Sequence, residues 1–140
     1  MYKCKYFAIH ELVDPNTYEV RGGKAWQLLD SRMLKLIDAL RDILGPATIN
    51  NYYWGGDRER SGLRIPGGPH YRNYSQHTHG RAFDMLFNNY SADEVRAMIE
   101  DRIDYLLAVS GLESITVEEG VNWLHVDGRN NEPGFNTVKP

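Results

Sequence analysis

Two short stretches of this chain carry residue types that could do chemistry together. In SQHTHGRAFDM, residues 75–85, His77 and Asp84 stand seven positions apart around Gly80-Arg81-Ala82, where the small residues permit close backbone approach. In NWLHVD, residues 122–127, His125 follows a tryptophan in what reads as a strand. Two imidazoles and one carboxylate supply three zinc ligands and leave a fourth position for water, the arrangement of catalytic rather than structural zinc. The one cysteine, Cys4, excludes an internal disulfide and any multi-cysteine zinc or iron–sulfur site, so a metal would rest on His and carboxylates. Spacing alone leaves two readings open, a His-Asp-His metal site and ordinary surface polarity. His79 lies two residues from His77 and shares its face in an extended segment, which makes it the alternative ligand. His10 and His70 read as ordinary polar positions.

The elements that must position these residues can be read from periodicity. Over residues 23–43, Trp26, Leu29, Met33, Leu34, Ile37 and Leu40 recur at helical spacing with Leu44 just beyond, and Gly45-Pro46 stops the run. Residues 47–53 are short and rich in β-branched and aromatic side chains, which predicts a strand. The Gly- and Pro-rich residues 55–69 read as a long surface loop and a candidate site wall. Ser91 followed by Glu94 is a capping box, and Val95, Met98, Ile99, Ile103, Leu106 and Leu107 extend one helix to Ser110-Gly111. Strands are expected at residues 114–117 and 122–127. In the latter, alternation puts Trp123, His125 and Asp127 on one face and Leu124 and Val126 on the other. This order predicts an α+β fold, a single domain over residues 1–140 with a small antiparallel sheet and packed helices.

Composition narrows the class. At 140 residues, with 41% hydrophobic and 25% charged, the chain has the balance of one globular domain, which excludes disorder, collagen and coiled coil. No run approaches the ~20 apolar residues of a membrane span, and the opening MYKCKYFAIHELVD lacks the apolar segment of a signal peptide, so synthesis in the cytoplasm is expected. The net charge of -3 and the scatter of the 16 basic residues give no phosphate-neutralising surface, so nucleic acid is not an expected partner.

The pattern Ser75-x-His77-x-x-Gly80-Arg81-Ala82-x-Asp84, followed some forty residues on by Trp123-x-His125-x-Asp127, resembles the zinc D-alanyl-D-alanine carboxypeptidase and peptidoglycan endopeptidase superfamily. That superfamily includes the vancomycin-resistance D,D-dipeptidases, many phage endolysins and the hedgehog-like domains. Tyr6-Phe7-x-Ile9-x-Glu11-Leu12 looks like the opening of its phage and bacterial branch. Glu59-Arg60-Ser61-Gly62-Leu63-Arg64 looks like its SG-aromatic-R segment, with Leu63 in place of the aromatic.

The resemblance implies a hedgehog-like variant of the fold, one Zn2+ held by His77, Asp84 and His125, and attack of a water on a peptide carbonyl of peptidoglycan. It makes Arg64 the group that receives a substrate carboxylate or the developing oxyanion. Arg81 is expected to support the motif's turn or pair with a carboxylate, and Ser75 to hydrogen-bond locally. Many members carry the catalytic acid three residues before the last zinc histidine, where this chain has Asn122. In the branch resembled more closely a glutamate stands six residues before it, which makes Glu119 the expected base, with Glu118 beside it. Asp127 is expected to orient His125 or Arg129. Two other functions accompany this one: a zinc-binding domain without turnover, suggested by Asn122, and a zinc hydrolase of a different amide. The branch further suggests a phage origin, with action at the wall after release or as part of a particle.

Overall fold

The structure is a computed structural model that describes residues 1–65 and 75–140; His70 and the end of the loop expected at residues 55–69 lie outside the described residues. The elements run α1 (Pro15–Arg21), α2 (Ser31–Leu44), β1 (Ala47–Thr48), β2 (Ala82–Phe87), α3 (Ala92–Asp101), α4 (Ile103–Ser110), β3 (Ser114–Glu118), β4 (Leu124–Asp127) and β5 (Gly134–Val138). The strands form one sheet in the order β1-β2-β4-β3-β5. The fold is α+β as expected, but the sheet is mixed rather than antiparallel throughout. β5, which lacks a strong sequence signal, lies parallel to β3 from Ser114↔Gly134 to Glu118↔Val138.

One hydrophobic core joins the inner face of α2 (Met33, Leu34, Ile37, Leu40) to Phe83, Met85, Ile115, Val117, Leu124 and Val126 of the sheet, with Val95, Ile99 and Leu106 closing it from α3 and α4. The helix expected over residues 23–43 is broken. A 3-10 stretch covers Gly22–Leu28, Leu29 is extended, and α2 begins afresh with the Asp30 side chain accepting from Arg32 N–H. The break is tertiary in origin: Asp30 N–H donates to Gly80 O at 3.0 Å, tying the helix start to the turn that carries His77. The second expected helix divides at Arg102 into α3 and α4, while its Ser91–Glu94 capping box forms as read. Of the strand expected at residues 47–53 only β1 pairs, because Asn50 and Asn51 turn their side chains to backbone partners at Val13, Ser61 and Arg58. Among the described residues no helix is long and apolar enough to cross a membrane.

Candidate metal centre

β2 and β4 pair antiparallel with Asp84 directly opposite His125, Phe83 opposite Val126 and Ala82 opposite Asp127. Since side chains alternate along a strand, Phe83 and Val126 enter the core while Asp84, His125 and Asp127 share the other face. The N–H of Asp84 donates to Ser61 O at 2.8 Å, away from β4. The Asp84–His125 pair is therefore of the non-hydrogen-bonded kind, in which opposite side chains stand closest.

His77 arrives from the turn before β2. Thr78, His79 and Gly80 N–H groups bond to the carbonyls of Ser75, Gln76 and His77, and the Ser75 hydroxyl accepts from His77 N–H, so Ser75 does bond locally. Gly80 ends the turn at φ +68, and a Cβ there would stand 2.2 Å from Leu28 O. Only glycine meets both demands. Arg81 supports the turn through its backbone, its N–H donating to Gln76 O and its carbonyl accepting from Gly128 N–H. Gly62 is a second close approach: a Cβ would lie 2.1 Å from Leu12 O, and its own carbonyl meets His77 Nδ1 at 3.0 Å. The Ser61-Gly62-Leu63-Arg64 segment thus anchors both Asp84 and His77.

His77, Asp84 and His125 are all buried, and one donor atom from each lies within 4.8 Å of the others, a group able to hold a metal ion. His77 Nε2 faces Asp84 Oδ1 at 3.2 Å, and His125 Nδ1 faces the same oxygen at 2.9 Å. Behind them, Gly62 O takes the other nitrogen of His77, and Asp127 Oδ2 takes His125 Nε2 at 2.8 Å. Each imidazole therefore has one nitrogen turned inward and the other bound to an acceptor, the support that metal-bound histidines require. Asp127, fully buried, also receives the Arg129 guanidinium, so it orients His125 and Arg129 together.

Electrostatics agree with a site that wants positive charge. Burial disfavours the imidazolium of His125, but hydrogen bonds to Asp127 and Asp84 outweigh it and lift the group to about 9. Burial likewise opposes the charge of Asp84, yet the bonds from His125 and His77 hold its carboxyl well below the usual carboxylate range. With carboxylate oxygens at both its nitrogens, His125 needs a second proton or a cation on Nδ1. A metal ion satisfies that need, so the donor set fits one.

The triad lies in a cavity of about 340 Å³ whose wall includes Arg64, Gln76, Glu118, Trp123 and Arg129. Arg64 Nη2 sits 3.3 Å from Asp84 Oδ2, so this arginine both lines the cavity and meets the Asp84 carboxylate. His79 is exposed and borders a different hollow beside Arg64 and Arg21, so it does not join His77 in the donor group. The structure does not bring the expected base, Glu119, to the cavity. Glu119 is exposed, with its N–H bonded to Val138 O, and it is not part of this wall. The reason is strand alternation: Thr116 pairs with Asp127, so Glu118, two residues on, falls on the face of Asp127 and His125, and Glu119 falls off it. Asn122 is exposed and borders neighbouring hollows instead. The alternation signal was present in SITVEE, residues 114–119, and puts Glu118 on the face of Asp127 once β3 is paired with β4. Compared with known proteins, the chain matches no family model, no curated protein and no solved structure.

Proposed function

We propose that the protein is a zinc-dependent peptidase that cleaves a peptide bond in peptidoglycan. The observation that carries this reading is the buried His77-Asp84-His125 group at a cavity whose lining also includes Glu118, Arg64 and Arg129. The motif likeness of residues 75–84 and 123–127 supplies the substrate class. Bound to the triad, zinc would supply an acidified water and a Lewis acid for the scissile carbonyl. Glu118 is the group that takes the proton of the attacking water and returns one to the leaving amine. Arg64 and Arg129, each backed by a carboxylate, leave the cavity mouth suited to a peptide carrying its own negative charge, and Arg64 stabilises the charge that develops on the carbonyl oxygen.

The test is kinetic, with muropeptide digestion read by mass spectrometry. Glu118→Gln should lose at least ~100-fold in kcat, the usual scale of a general base, while keeping zinc and melting temperature. Glu119→Gln should stay close to wild type. The reverse pattern would return the base to Glu119. A zinc-loaded wild type that cleaves no peptidoglycan fragment would leave a zinc-binding domain without turnover, and cleavage confined to other amides would leave a different hydrolase.

A further inference from the structure

Glu118 and Trp123 stand at the two ends of the β3–β4 connection, and both line the cavity beside the triad. Strand pairing does not hold them to each other, because the β3–β4 ladder ends at Val117↔Val126. On its outer side Glu118 is paired to Val138 of β5. On its inner side the chain leaves through Glu119 and Gly120, both exposed, with Gly120 at φ +78. A side chain from α3 replaces the missing rung. Arg96, 11% exposed at its side chain, donates through Nη1 to Glu118 O at 3.3 Å and to Trp123 O at 3.2 Å.

We propose that Arg96 is a positioning residue: by clamping the carbonyls of Glu118 and Trp123 to α3, it sets where the Glu118 carboxylate and the Trp123 ring stand over the metal centre. This rests on the hydrolase reading with Glu118 as base. One Nη carries two hydrogens in the guanidinium plane, so a single rigid fork can serve two acceptors at fixed directions, which a lysine cannot reproduce. A misplacement of about 1 Å at reacting groups can cost ~100-fold in rate. The anchor is firm, since Val95 and Ile99 bury α3 in the core on either side of Arg96. The pair of Arg96 with Asp93 is a lesser contribution, because the Asp93 side chain is 92% exposed and such pairs are weak.

The experiment combines steady-state kinetics, zinc content and amide hydrogen exchange on the full zinc-loaded chain. Arg96→Met should lower kcat at least ~10-fold with KM little changed, keep its zinc, and speed exchange at residues 119–123 without doing so in β2 or β4. Arg96→Lys should recover part of kcat, and Asp93→Asn should match wild type. Wild-type kcat in Arg96→Met overturns the proposal, as does a loss of kcat shared with zinc and with global exchange. If Arg96→Met fails to fold, Arg96→Lys decides: unchanged kcat and unchanged exchange at residues 119–123 overturn the clamp. Inactive wild type would instead overturn the hydrolase reading, and local exchange in the same variants would then decide whether the clamp exists.

Discussion

His10 and His125 are buried to nearly the same degree, 9% and 7% exposed, yet they sit in opposite environments. His10 stacks on Tyr53 with ring centroids 3.9 Å apart and meets Tyr18 and Trp54 edge-on. Its Nδ1 is buried without a hydrogen-bond partner among the described residues, and burial pushes its pKa down. His125 has a carboxylate oxygen at each nitrogen and is lifted to about 9. Burial alone therefore pushes the pKa of an imidazole down here, and it is the Asp84 and Asp127 carboxylates that lift that of His125, one of three donors able to hold a metal ion.

The largest expected effect separates the two histidines outright. His125→Ala or His77→Ala should abolish binding of the one zinc per chain expected for a three-ligand site, whereas His10→Ala and His79→Ala should keep it, as read by elemental analysis of dialysed protein. Full zinc in both triad variants would dissolve the contrast. A smaller change tests the support behind the ligand. Asp127→Asn keeps the shape but weakens the acceptor at His125 Nε2, and zinc affinity should fall 10- to 100-fold in a competition titration with a chelating dye, the usual cost of losing such support. Unaltered affinity would mean that Asp127 serves Arg129 alone.

The smallest effect is one of pH. The fold favours protonated His125, so that contribution to stability is complete below about 6.5, the unfolded value, and is lost as pH rises through about 9. Asp84, held below its usual range, acts oppositely, and its contribution disappears only as pH falls into the acid region. The melting temperature of chelator-treated protein should decline between pH 7 and 10 more steeply than that of zinc-loaded protein, in which the metal replaces the proton on Nδ1. Parallel profiles in calorimetry would remove the proton–metal exchange.

Much of the site could be read before folding was considered. The His77-x6-Asp84 spacing spans one turn and the strand that follows it, and the alternation of His125 and Asp127 lies within one strand, so local geometry decides direction in both. The Ser91–Glu94 cap was legible for the same reason, since its two hydrogen bonds close within three residues. Two features that local reading did not reach involve partners distant in sequence. The helix expected over residues 23–43 breaks because Gly80 takes the N–H of Asp30, fifty positions away. Glu118 rather than Glu119 lies on the cavity side because the face of β3 is defined by its pairing with β4.

The residue types, their spacing and their local periodicity determined by themselves that this chain could present two imidazoles and a carboxylate on an α+β scaffold. Tertiary structure decided that Asp84 lies opposite His125, that Gly62 and Asp127 stand behind the imidazoles, and that Arg96 reaches the carbonyls of Glu118 and Trp123. The physical reason is range. A strand's alternation is set by neighbouring dihedral angles, whereas strand register and buried hydrogen bonds are chosen only when core packing excludes water and leaves each polar group one place to find a partner.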